Sequence, residues 1–128
     1  MPENLWGDLK SLPIVRTPVA VLKEQAELLT QLTNGLIVGW VGPSPSSLTR
    51  GFAWSLGVRV PSLNDYSVEL LEIDHPPELY PVMMSSQIAS KAMRNIPDEQ
   101  VLKDFVKQIL QSQEVRQLIG GLLSQTAE

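Results

Sequence analysis

The apolar residues of this chain change their repeat twice, and that switch constrains the fold more than any other feature. In the middle, Phe52, Trp54, Leu56, Val58 and Val60 alternate with Ala53, Ser55, Gly57 and Arg59. A repeat of two puts alternate side chains on opposite faces of an extended strand. On either side the repeat lengthens to that of a helix. Val21, Leu22, Ala26, Leu28, Leu29 and Leu32 share one broad side before the alternation, with Lys23, Glu24, Glu27, Thr30 and Gln31 opposite them. After it, Val101, Leu102, Phe105, Val106, Ile109 and Leu110 form a half-cylinder.

Punctuation refines these limits. Thr17-Pro18 supplies a side-chain cap and a proline suited to the first helical position, and Asn34-Gly35 tolerates the left-handed backbone that ends a helix. The pattern predicts a helix over 17–33, then a strand at Leu36 to Val41. Pro61 to Asp65 reads as a turn and Tyr66 to Asp74 as a third strand. Leu70-Leu71 breaks the phase of that strand and sends Ile73 to the opposite face, unless a bulge intervenes. A fourth strand near Tyr80–Met84 would be held to an edge by Pro81, and residues 85–96 read as a short helix or a loop. Pro97-Asp98-Glu99 opens the C-terminal helical region, and Ser112 with Glu114 offers a fresh start. Without a break there, the stripe of Val115, Leu118, Ile119, Leu122 and Leu123 would be rotated by roughly 100° from the first. Two helices, about 98–111 and 113–124, are therefore expected. Gly120-Gly121 then marks fraying or a close helix crossing. The expected architecture is α+β: an N-terminal helix, an antiparallel meander of three to four strands, and two C-terminal helices on one sheet face. It forms a single domain over 1–128 with residues 1–16 as an N-terminal arm.

Composition narrows the function classes. Of 128 residues, 43% are hydrophobic, enough for a core and too many for a disordered chain. Cysteine is absent, which removes disulfides, thiolate nucleophiles and cysteine-bound metals together. The net charge is −4, and the basic residues are scattered through both halves, so nucleic-acid binding is disfavoured. The longest apolar run, Leu36 to Val41, is far shorter than the ~20 residues of a membrane span. The start, Met1 to Asp8, has neither the basic flank nor the apolar core of a signal peptide. A soluble cytoplasmic protein is expected.

No motif announces a reaction. His75 stands alone in Asp74-His75-Pro76-Pro77-Glu78, which reads as a solvated loop leaving a strand, and no third metal ligand accompanies it. There is no nucleophile elbow and no phosphate-cradling glycine loop. No cofactor and no metal are expected. Phe52, Trp54 and Trp40 read as core aromatics, whereas Trp6, with Leu5, Leu9 and Leu12 nearby, reads as packing the arm onto the body or onto a second subunit. The face opposite the main alternation lacks the usual Lys, Glu and Thr. Ile37, Val41, Ala53, Leu71 and Ile73 all fall there, together with Ser55 and Gly57. Such a face suits a two-fold interface between copies. The leading expectation is a non-catalytic protein acting through protein–protein association, as a homo-oligomer or with another protein. The alternative is a binding module or minor enzyme for a small anion or metabolite, with Arg50, Arg59, His75 and Tyr80 converging on one pocket.

Overall fold

A computed structural model describes residues 2–45 and 51–127. The chain runs through α1 (Pro18–Leu32), β1 (Val38–Pro43), β2 (Phe52–Val60), β3 (Tyr66–His75), β4 (Val82–Ser86), β5 (Lys91–Ile96), α2 (Glu99–Leu110) and α3 (Gln113–Thr126). Each helix begins on a side-chain oxygen taking a backbone N–H that has no partner inside the helix. Thr17 accepts from Ala20, Asp98 from Val101 and Ser112 from Val115. The expected break at Ser112 is therefore present, and both C-terminal stripes reach the same core.

The five strands lie in chain order in one sheet, every neighbouring pair antiparallel. The fold is the expected α+β, with five strands rather than three to four. The extra strand is β5, in the segment read as helix or loop. β4 is also interior, between β3 and β5, because Pro81 precedes the strand and withholds no ladder hydrogen bond.

A bulge decides which side chains enter the core. Leu56 pairs with Leu71 but Gly57 pairs with Glu69, leaving Leu70 as the extra residue. The slip resets the phase of β3, so Leu70, Leu71 and Ile73 are all buried in the core. This corrects the expected second apolar face. Ile37, Leu71 and Ile73 are fully buried core residues, and Val41 packs against the core, paired with Leu56. Of the five residues expected on the opposite face, only Ala53 is there, paired with Asp74. Independently of that slip, β1 presents the face opposite to the one expected, and this moves Trp40. It pairs with Gly57 and lies across it on the open face, where its indole N–H donates to Ser67 Oγ at 3.1 Å.

The helices cover the other face. Gly39 lets β1 approach α1 so closely that a Cβ there would sit 2.4 Å from the Ala26 carbonyl oxygen. Thr30 Oγ1 accepts the Gly39 N–H at 2.9 Å, and Thr33 Oγ1 accepts that of Ile37 at 3.2 Å, so two threonines tie the helix to the strand after it. At the other end of the chain, α3 continues through Gly120 and Gly121 to Thr126, and neither glycine has a neighbour that a Cβ would touch. The pair marks neither a helix end nor a close crossing.

Candidate functional site

The four residues expected to form an anion site do not converge. Arg50 lies outside the described residues. Arg59 pairs with Asp65 at 2.8 Å beside the β2–β3 turn. His75 pairs with Phe52 at the opposite end of that ladder, seven residues away along β2, or about 23 Å at the usual rise of a strand. The two side chains also point to opposite faces of the sheet. Tyr80 follows the Pro76-Pro77 turn and is half-buried near Arg16, Asp98 and Glu99.

His75 is the last residue of β3 and only 4% exposed, not part of a solvated loop. Its Nδ1 lies 2.9 Å from the Pro76 carbonyl oxygen. That oxygen can only accept, so Nδ1 is the donor in this contact. Nε2 is buried with no hydrogen-bond partner, and the ring stacks on Phe52, which is 51% exposed and so not the core aromatic expected. The Tyr80 hydroxyl is likewise buried and unpartnered. Burial, followed by the charges of Glu99 and Asp98, raises the Tyr80 pKa above its usual value, with Arg16 acting against them.

On the open face, Glu72, Asp74, Met83, Ser85, Ala92 and Arg94 surround a shallow depression of about 180 Å³. Ser55 Oγ donates to Glu69 at 3.2 Å beside it. Among the described residues no group of three His, Asp or Glu side chains could hold a metal ion.

The most exposed apolar chemistry is in the N-terminal arm. Leu5, Leu9, Leu12 and Val15 are exposed, Trp6 is 80% exposed and Ile14 wholly so. Local hydrogen bonds shape the arm where packing does not. Asn4 accepts from the Trp6 N–H at 2.9 Å and donates to the Gly7 carbonyl at 3.2 Å. Asp8 caps a 3-10 turn over Leu9–Ser11 by accepting from the Lys10 N–H at 3.1 Å. The root of the arm is pinned where α1 and α2 begin. The Arg16 guanidinium donates to Glu24 and lies 3.6 Å from Glu99, which also holds Lys103 at 3.2 Å. The hydrogen bond to Glu24 is the main reason the Arg16 pKa lies above its ordinary value.

A second uncovered apolar surface lies between α1 and α3. There Leu28, Leu29 and Leu32 face Leu110, Val115 and Ile119 across a groove of about 220 Å³ floored by Leu56 and Leu70. Leu32 is 80% exposed, although it continues the apolar side of a helix that reads as core throughout. The legible signal was the length of that side, which runs a full turn past Ala26, the last buried residue of α1. Trp6 does not pack on the body.

No family model matches this chain, and no curated protein or solved structure is significantly similar to it. No helix among the described residues is long and apolar enough to cross a membrane.

Proposed function

We propose that this is a non-catalytic cytoplasmic protein that works through protein–protein association, first of all with its own kind, and that the arm of residues 2–16 is its contact surface. The observation that carries this reading is the arm itself. Six large apolar side chains, Leu5, Trp6, Leu9, Leu12, Ile14 and Val15, stand in water on a segment that its own hydrogen bonds hold in shape. Contiguous exposed apolar surface of this kind marks an interaction site, and aromatic anchors dominate such interfaces. A segment already ordered loses less conformational freedom on docking than a disordered one. The open sheet face, carrying Glu69, Glu72, Asp74 and Arg94, is too charged for an apolar interface and has no part in the proposal.

Light scattering coupled to gel filtration tests the reading. The expected mass is twice the 14.2 kDa of one chain, falling to a single chain when Trp6 is replaced by Glu. A single-chain mass for the unaltered protein at concentrations well above micromolar would refute self-association.

A further inference from the structure

The arm needs a receptor, and we infer that it is the α1–α3 groove of a second copy, so that two chains exchange arms reciprocally. This inference rests on the association reading above and names its partner surface.

Three observations carry it. First, the chain holds both halves of an apolar contact, each uncovered: the arm around Trp6 and Leu9, and the groove walled by Leu28, Leu32 and Ile119. An apolar cavity of about 150 Å³ is enough to take up benzene, so a groove of about 220 Å³ has room for the larger indole of Trp6. Second, the charges match. Trp6 lies between Glu3 and Asp8 in sequence, and past Gln25 and Leu110 the apolar groove adjoins a trough between α1 and α2 lined by Lys107, by Lys103 (paired with Glu99) and by Glu24 (paired with Arg16). Acids flanking the anchor would meet Lys107 in the adjoining trough, which favours a fixed direction of docking.

Third, the root of the arm directs it away from its own groove. Arg16 is held by Glu24 and Glu99 at the N-terminal end of α1, while the groove lies along the C-terminal half of that helix. To fill its own groove the arm would have to double back beside the pinned Arg16. Yet every residue from Pro2 to Thr17 is exposed. A two-fold pair needs no reversal and uses each arm–groove contact twice, which doubles the buried area. A lipid surface is the less suitable occupant. The arm carries Glu3 and Asp8 against Lys10 and Arg16, whereas membrane-surface segments have a strong excess of cations.

The test uses two full-length variants that leave the core untouched, Trp6→Glu in the arm and Leu32→Glu in the groove, with circular dichroism to confirm that both fold. Each alone is expected to elute at the mass of one chain. An equimolar mixture should regain dimer, because the intact arm of the Leu32→Glu chain fits the intact groove of the Trp6→Glu chain. If Leu32→Glu stays fully dimeric while Trp6→Glu is monomeric, the arm has another receptor. The groove assignment then falls while the association reading stands. A monomeric unaltered protein overturns both. Co-sedimentation of that monomer with phosphatidylserine-containing vesicles, lost in Trp6→Glu, would assign the arm to lipid instead.

Discussion

Gly39 is where one hydrogen atom in place of a methyl group sets the spacing of two layers. A Cβ at that position would fall 2.4 Å from the Ala26 carbonyl oxygen, which belongs to helix backbone and cannot swing aside. Gly39→Ala is therefore expected to cost roughly 1–3 kcal/mol in urea denaturation, as overpacking does elsewhere. Gly120 and Gly121 are the contrasting case. Neither has anything for a Cβ to strike, so replacing either by Ala should stabilise α3 by up to ~1 kcal/mol. Tyr80 adds a prediction in pH. Its folded-state pKa is raised, mainly by burial, so the unfolded chain loses this proton first. The stability that follows is fully present below the ordinary pKa of about 10 and is lost as pH rises through the higher folded value. Tyr80→Phe should flatten this alkaline loss. At neutral pH it should leave stability unchanged or raise it by about 1 kcal/mol, because the hydroxyl it removes is buried without a partner.

The three long helices each depend on one capping side chain. Ser112 is the most consequential, since its Oγ accepts the Val115 N–H at 3.3 Å while its hydroxyl donates to the Ile109 carbonyl at 2.7 Å. It ends α2 and starts α3 together, and the break brings Val106, Ile109, Val115 and Leu122 into one core. Ser112→Ala is expected to cost about 0.5–2 kcal/mol, read as a lower denaturation midpoint with an unchanged slope. Among the strands, the bulge at Leu70 has the largest consequence. Without it a strict repeat of two would turn Leu71 and Ile73 to the open face, as the sequence pattern alone suggests. Two apolar residues in succession permit either reading. The better-buried arrangement wins because it places both leucines and Ile73 in the core.

For the whole molecule, the proposed reciprocal arm exchange would make apparent stability depend on protein concentration, because association draws on the folded state alone. The melting temperature of the unaltered protein should climb with concentration, whereas that of Trp6→Glu should not, and scanning calorimetry across a dilution series checks this. The proposed contact of the arm's acids with Lys107 would add a salt dependence: raising ionic strength should weaken the proposed dimer, and Lys107→Glu should weaken it further. Much of the architecture was legible in the chain as written. The switch from a helical repeat to alternation and back, the caps at Thr17 and Ser112, the helix start at Pro97-Asp98-Glu99, and the turn at Pro61 are local signals. Each acts over a few residues, where backbone geometry and the nearest hydrogen bond settle the outcome. The face of β3 was not legible, because a single slipped pair between β2 and β3 inverts the side chains beyond it, and the face of β1 was not legible because adjacent apolar residues such as Leu36, Ile37 and Val38 fit either phase. Nor was the placing of Leu32 and Ile119 on two sides of one groove or the separation of Arg59 from His75, which follow from how distant segments pack. Local order is written in neighbouring residues. Which apolar side chains find cover, and which remain for another molecule, is decided only when the layers close.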